Sequence, residues 1–510
     1  MLRLITLSLF VLAQSSLATA GDSLQYKLEL QSTLASGTHN PLWLSANRYG
    51  LSSLDTDNGY LRAAVAKDGG HAADRKFDWG AGLDMAVAYG FTSTTVVQQA
   101  YAEGRWLYGL LTIGSKEQPM QFRNQQLSSG PQTLGVNARP VPEIRLSVPD
   151  YWAVPLGGRW VSFKGHVAFG KYSDSRWQRD FTHEQTPHTD GALHHSKAGY
   201  MRIHKRGSPL TIEGGIEMAT QFGGRMLIKD AQGEIVTEVK NRSGILSFWH
   251  ALAAGGHEVT ETGYLQNVEG NMLGSWMARL TWSEPTWEAS VYADHYFEDH
   301  SSMFLLEYTG YGRGDKWDTH TRKRFMLYPL KDMQLGAELK LPGCPWLQNV
   351  VVEYLYTKYQ SGPIYWDRAE GLSEHIGGRD SYYNHSIYTG WQHWGMVMGN
   401  PLYRSPLYNS DSQVSVESNR FIAWHMGLCG QLSPRLSYRL LATTEKAWGT
   451  YSLPFTSMQR DQSLMGELTY ALPRRLLPGL YIRCAAAIDR GRLLGDNSGL
   501  QITVTKKGRL

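Results

Sequence analysis

Large apolar and small or polar residues alternate along much of this chain. From Trp79 to Phe91, the residues Trp79, Ala81, Leu83, Met85, Val87, Tyr89 and Phe91 share one face, and Gly80, Gly82, Asp84, Ala86, Ala88 and Gly90 share the other. A period of two places successive side chains on opposite faces of a strand. A large apolar face backed by a small or polar one is what a wall between lipid and a crowded interior requires. The same pattern recurs at Trp160–Phe169, Leu210–Phe222, Met333–Leu341 and Leu480–Ile488. Weaker copies run over Leu24–Gln31, Gly59–Ala66, Val96–Gly104, Trp106–Gly114, Glu143–Val148, Ser196–His204, Met272–Trp282 and Trp287–Phe297. Others cover Met303–Tyr308, Gln348–Lys358, Phe421–Leu432, Leu436–Thr444, Gln462–Leu472 and Leu500–Thr505. The pattern predicts an all-β transmembrane barrel of about 18 antiparallel strands. A soluble propeller would show an internal repeat, and none is present.

Short and long connections coexist. Trp282–Trp287 and Leu472–Gly479 are tight, whereas 115–142, 171–195, 223–271, 309–332 and 360–420 are long. Outer-membrane barrels have this asymmetry, with short turns on the periplasmic side and long loops outside. Ser243–Ala254 has helical spacing, with Ile245, Leu246, Trp249, Leu252 and Ala253 on one stripe, and Pro41–Gly50 has room for a helical turn. Such helices would plug the barrel or pack at one mouth.

The first 20 residues, with one Arg, an apolar run from Leu4 to Leu12 and Ala18-Thr19-Ala20, read as a signal peptide cleaved after Ala20. The remainder, 21–510, reads as a single barrel domain. A formal net charge of +4 argues against nucleic acid as a partner. Cys344, Cys429 and Cys484 are isolated, with no zinc spacing, and nothing in the sequence pairs them.

One stretch departs from the strand pattern. Tyr382–Trp394, YYNHSIYTGWQHW, holds five aromatic residues and two histidines in an uncharged run from Ser381 to Tyr403. Sugar rings stack their C–H faces on Trp and Tyr, and their hydroxyls bond to Asn, Gln, His, Asp and Arg. The candidates for carbohydrate contact are therefore Trp366, Tyr382, Tyr383, His385, Trp391, His393 and Trp394, with Asp367, Arg368 and Arg379 as polar partners. The same residues also suit a second role, packing a long link into the lumen. In the strand ending DHYFEDH, Asp294, Tyr296 and Glu298 share the lumenal face. They form either a polar track for saccharide, a pair of carboxylates for glycoside hydrolysis, or a salt-bridge network with arginines such as Arg279 or Arg202. Gly21-Asp22-Ser23-Leu24 spells a lipase motif without its βα context. His194 and His195, adjacent on a strand, point to opposite faces and cannot share a metal. No metal, cofactor or catalytic residue is expected.

Four strings in order resemble the Wzi family of outer-membrane capsule-assembly proteins, in the form found in Bacteroides-type bacteria. They are NPLWLSANRYGLSSLDTDNGYLRA (40–63), LHHSKAGYMRI (193–203), SVYADHYFEDHSSM (290–303) and GWQHWGMVMGNPLY (390–403). The resemblance implies an 18-stranded outer-membrane barrel with a small helical plug or a helical element at the periplasmic mouth. It further implies a lectin-like, non-enzymatic role, attaching or assembling capsular polysaccharide at the surface of a Gram-negative cell. The expected partners are that polysaccharide and outer-membrane lipid, and the expected state is a monomer. The rival functions on the same scaffold are a saccharide channel and an outer-membrane glycoside hydrolase.

Overall fold

The computed structural model describes residues 24–510 apart from 68–75, 156–157, 254–257, 260–264, 267–268, 299–302, 304–308, 312–314, 316–318, 323–327, 361–379, 474 and 476. The signal segment Met1–Ala20 lies outside the described residues. The wall is built from β1 (Gln25–Ser36), β2 (Asp57–Lys67), β3 (Phe77–Tyr89), β4 (Thr95–Trp106), β5 (Gly109–Ser115) and β6 (Glu143–Ala153). It continues through β7 (Val161–Lys171), β8 (Leu193–His204), β9 (Leu210–Phe222), β10 (Asn271–Ser283), β11 (Glu288–Glu298) and β12 (Met333–Lys340). The last six strands are β13 (Asn349–Tyr356), β14 (Phe421–Ser433), β15 (Leu436–Gly449), β16 (Pro454–Ala471), β17 (Leu480–Gly491) and β18 (Asn497–Arg509). Each strand pairs antiparallel with the next, and β1 pairs with β18 from Gln25↔Arg509 to Ser36↔Ser498, closing the sheet. Each barrel strand falls on one segment of the alternating pattern. The extra segment, Met303–Tyr308, lies outside the described residues apart from Met303, whose carbonyl accepts a 2.7 Å hydrogen bond from the Trp276 indole.

The alternation sorts outward from inward as expected. On β3, Phe77, Trp79, Leu83, Met85, Val87 and Tyr89 are exposed on the outer wall, while Asp78, Asp84, Ala86 and Ala88 are buried facing the lumen. The β3–β4 ladder shifts register between Asp84 and Met85. The resulting bulge on β4 lets both Gln98 and Gln99 serve the interior: the Gln98 amide donates to Glu117 at 2.9 Å, and Gln99 accepts from the Glu117 backbone at 3.1 Å.

The first and last described residues and the turns 107–108, 284–287 and 434–435 lie at one rim. The links 37–56, 116–142, 172–192, 223–270, 299–332 and 357–420 all lie at the other. The helices also sit in the links of this second rim: α1 (Leu42–Ser45), α2 (Ser175–Thr182) and α3 (Ile245–Ala253). The helical plug is thus the form the expectation takes, because α1 is wholly buried inside the barrel. The amide of Leu42 donates to Asp489 at 3.0 Å, and the Trp43 indole donates to Thr443 at 3.1 Å.

Helix α3 neither plugs the barrel nor closes a mouth. It lies on the outer wall, where Phe248 packs against Phe169 and Phe222. Outward-facing Lys197 donates to the carbonyls of Ala251 and Leu252 at the end of this helix, where the helix dipole favours a cation. The apolar stripe faces away from the protein, with Ile245 91% and Trp249 61% exposed. A stripe of this kind at the wall of a membrane barrel meets lipid, not a protein core.

The outer wall at β3 yields a direct test. Leu83→Arg puts a charge in the middle of the apolar face and is expected to lower stability in lipid vesicles by about 2–4 kcal/mol. Reversible denaturant unfolding from vesicles reads this out. A change near zero would show that this face does not meet hydrocarbon.

Candidate functional site

The largest apolar cluster of the protein lies inside the barrel. It joins Trp43, Leu44, Leu127, Tyr296, Tyr382, Tyr383, Trp391, Tyr403 and Phe421. Two long links enter it, 116–142 and the described part of 357–420, alongside the link 37–56 that carries α1, and the inner wall and other links supply the rest. The two long links reach inward-facing residues around the wall: Gln98 of β4, His194 of β8, Ser275 of β10, Asp294 of β11, Glu353 of β13 and His425 of β14.

The polar contacts between plug and wall are buried, with Arg123 Nε and Nη1 and Asp294 Oδ1 left without a hydrogen-bond partner among the described residues. The Arg123 and Asp294 side chains are both 0% exposed and meet at 2.6 Å. Burial alone would lower the Arg123 pKa; the Asp294 carboxylate outweighs that effect and raises it. Glu353 accepts four bonds, from Ser128 Oγ at 2.6 Å, from Ser129 N at 2.8 Å, from Ser129 Oγ at 2.5 Å and from the Tyr292 hydroxyl at 2.6 Å. Arg62 forks onto Asp84 at 2.7 and 2.5 Å and reaches Glu117 at 3.2 Å. A buried charge is tolerated only with such partners.

The lumenal carboxylates Asp294 and Glu298 face inward as the strand period requires, but they do not form an open track. The plug covers Asp294 and Tyr296 completely, and the Tyr296 hydroxyl donates to Glu298 at 2.5 Å. The partner of Asp294 is Arg123 of the plug. Arg279 pairs with Glu338 at 2.8 Å instead.

The aromatic stretch divides into buried and surface residues. Tyr382, Tyr383, Trp391 and His393 are buried. The Tyr382 hydroxyl donates to Asp332 at 2.8 Å, and its ring meets Tyr296 edge-on at 4.6 Å. Tyr383 stacks on Tyr403 at 3.9 Å and donates to the Gln132 carbonyl. The Trp391 indole donates to the Thr133 carbonyl at 3.0 Å, and its ring stacks on His194. His393 lies 2.8 Å from the Arg139 carbonyl through Nδ1. In this structure these four residues pack the plug, the second of the two roles their chemistry allows. Tyr383 adopts φ +69°, a left-handed conformation that costs a non-glycine residue about 1–2 kcal/mol, and its surroundings fix it there. A β-carbon at Gly399 would come within 1.9 Å of the Tyr383 hydroxyl, which accounts for one glycine of the run.

Trp394 and His385 stay partly exposed. The Arg139 guanidinium lies 4.5 Å over the Trp394 ring, and the Trp394 indole donates to Ser173 at 3.3 Å. Burial lowers the Arg139 pKa to about 10, which leaves it charged at neutral pH. Trp366, Asp367, Arg368 and Arg379 lie outside the described residues. His194 and His195 do point apart, His194 inward onto Trp391 and His195 outward onto Phe169 at 4.3 Å.

Sequence reasoning missed Arg123, Gln132 and Arg139, all in the link 116–142. The signal was available: Gln125–Ala138 is a second uncharged run in a long link. It also missed a cavity of about 220 Å³ between plug residues 134–141 and the wall strands β6, β7 and β8. Lys116, Arg139, Arg145, Lys164, Glu143 and Tyr200 line it. That volume is below the roughly 300–1,000 Å³ of clefts that take drug-sized ligands.

No protein-family model and no curated protein matches the sequence. Among solved structures the chain is similar to Wzi of Escherichia coli, described as an outer-membrane protein involved in group 1 capsule assembly and a carbohydrate-binding β-barrel. The TM-score is 0.55 at 13% identity, covering 94% of this chain and 83% of that one. It also aligns with OccK5 (OpdH) of Pseudomonas aeruginosa at TM-score 0.47 and 9% identity, covering 96% and 98%. The likeness to Wzi shows the fold.

Two measurements test the plug. Asp294→Asn leaves the Arg123 charge buried without its counter-ion and is expected to cost about 3–5 kcal/mol, whereas the double change Arg123→Met/Asp294→Leu recovers most of it. Thermal unfolding in detergent compares them, and equal losses in both variants would contradict the pairing. The second measurement is pH. Burial lowers the pKa of His385 to about 4 and also lowers that of His393. Both are held neutral when folded, so their contribution is complete above about 6.5, the unfolded value. For His385 it is lost as pH falls from there through about 4, and His393 shifts in the same direction. Planar-bilayer recordings should be quiet at neutral pH and show openings as the pH approaches 4. Constant conductance across that range would count against a histidine-secured plug.

These contacts make the chain an 18-stranded outer-membrane β-barrel whose lumen is filled by its own links.

Proposed function

We propose that this barrel holds capsular polysaccharide at the cell surface as a non-enzymatic, monomeric lectin, and does not conduct saccharide through its lumen. The observation that carries this reading is the plug. Both long links enter from one rim, and their buried ion pairs and stacked rings occupy the space a channel would need. The carbohydrate binding described for Wzi, a protein of the same fold, adds support.

The work is then left to the rim. Aromatic rings there carry cations on their faces: Arg139 over Trp394 at 4.5 Å and Arg420 over Tyr451 at 3.7 Å. A ring that offers an edge or face to a pyranose, beside a guanidinium that meets hydroxyls or sugar carboxylates, gives weak contacts that repeat along a polymer. Avidity supplies the retention. Of the aromatic stretch, Trp394 and His385 keep some exposure, which favours them as the contact residues, with Tyr382, Tyr383, Trp391 and His393 packed beneath.

Deletion of the protein is expected to leave polymer synthesis intact while capsule is shed into the medium. Trp394→Ala is expected to weaken binding of purified capsule by about fivefold to tenfold, in line with loss of one stacking residue, without altering heat-modifiable gel mobility. Trp391→Ala should instead lower that mobility transition. Capsule that stays cell-attached in the deletion strain would refute the proposal, and steady ohmic conductance at neutral pH would favour a channel.

A further inference from the structure

Over β15, β16 and β17 the outer wall changes character in steps from the long-loop rim toward the membrane. Outward-facing Lys446 stands directly opposite Arg460. One pair further along, Thr444 stands opposite Gln462, and Gln462 stands opposite Arg490. All five side chains are exposed. The carboxylates of the same strands, Glu445, Asp461 and Asp489, point the other way and are buried in the lumen.

Among the described residues, no carboxylate pairs with Lys446, Arg460 or Arg490. The Arg490 guanidinium donates to the carbonyls of Asp489 at 3.0 Å and Asn497 at 3.3 Å. Asp496, in the adjoining link, accepts from the Gly491 amide at 3.2 Å. Like charges directly opposite on neighbouring strands repel, and an anion between them removes that repulsion.

The rows immediately below are apolar. Met426, Ala442, Leu464 and Ile488 form the first, and Leu428, Leu440, Gly466 and Ala486 the second. The small residues Ala442, Gly466 and Ala486 leave a groove of about 450 Å³ in the wall, bordered by Met426, Leu440, Leu464 and Ile488. A β-carbon at Gly466 would meet only Leu440, at 3.4 Å, so the floor is open to an occupant.

A cationic cluster spread over two adjoining rows above an apolar groove in the outer wall matches one kind of molecule at both ends. We propose that Lys446, Arg460 and Arg490 bind the phosphate of an acylated, phosphate-headed lipid in the leaflet at the long-loop rim, with an acyl chain lying over Ala442, Gly466 and Ala486. The phosphate brings multiple negative charges and acceptor oxygens to unpaired cations, and the chain removes apolar wall from contact with less well-fitted lipid. The site is on the outer face and is independent of the plug and of polysaccharide binding.

Native mass spectrometry of the purified full-length barrel tests this, with bisphosphorylated lipid A, its dephosphorylated form and inorganic phosphate as probes. The barrel is expected to retain one bisphosphorylated molecule. Lys446→Gln/Arg460→Gln/Arg490→Gln should weaken retention by at least about tenfold, and Ala486→Leu, which fills the groove and leaves the charges in place, should weaken it as well. Heat-modifiable mobility confirms that each variant is folded. Equal retention by the triple variant, equal binding of the dephosphorylated lipid, or inorganic phosphate binding as tightly as the lipid would each overturn the proposal. No polysaccharide enters the experiment, so its outcome is separate from that of the capsule reading.

Discussion

In hydrocarbon no water is present to satisfy a backbone N–H or C=O group, so a sheet that crosses a membrane must have no edge. The pairing of β1 with β18, continuous from Gln25↔Arg509 to Ser36↔Ser498, meets that requirement. The rest of the structure follows from it. Closure fixes an inside and an outside on every strand. The strand period then places Leu, Val, Met and Trp outside and small, polar or charged residues inside. Closing 18 strands also encloses a lumen too wide for wall side chains alone to fill.

That lumen is filled by chain from the links. Uncharged segments do the filling, Gln125–Ala138 and Ser381–Tyr403, and their backbone polar groups bond to each other and to the wall. Arg123 arrives with a carboxylate waiting on the wall, whereas Arg139 meets the Thr92 and Ser93 hydroxyls and the Trp394 ring. The Asp294 and Glu353 side chains each join plug to wall through several bonds, so the interior is specific as well as full. A hydrophobic plug of the same volume would lack this directionality.

The wall was legible in the sequence because a strand's face is decided locally, by a repeat of two residues. Trp79–Phe91 can be read without knowing what lies beside it. The plug was not legible in this way. Tyr383 meets Gln132 and Tyr403, and Trp391 meets Thr133 and His194, contacts that span much of the chain. Composition identified Tyr382–Trp394 as unusual, yet rings with polar tips serve a sugar and a densely hydrogen-bonded interior equally well. Helix α3 shows the same limit. Its stripe of Ile245, Leu246 and Trp249 was evident from spacing, but an amphipathic helix has the same pattern whether its apolar side faces a protein core or lipid. Only the position of Phe248 and Lys197 on the outer wall decides it.

The link 116–142 is anchored at both ends in adjacent wall strands, β5 and β6, and its middle reaches across to β11 and β13 on the far side. A loop tethered in this way has no free end to thread into a finished cylinder. It therefore enters the lumen doubled back on itself, through the rim at which β5 ends and β6 begins. Non-local contacts of this span make for slow maturation, and an unfinished barrel with its aromatic filling exposed is a natural substrate for assembly helpers in the periplasm.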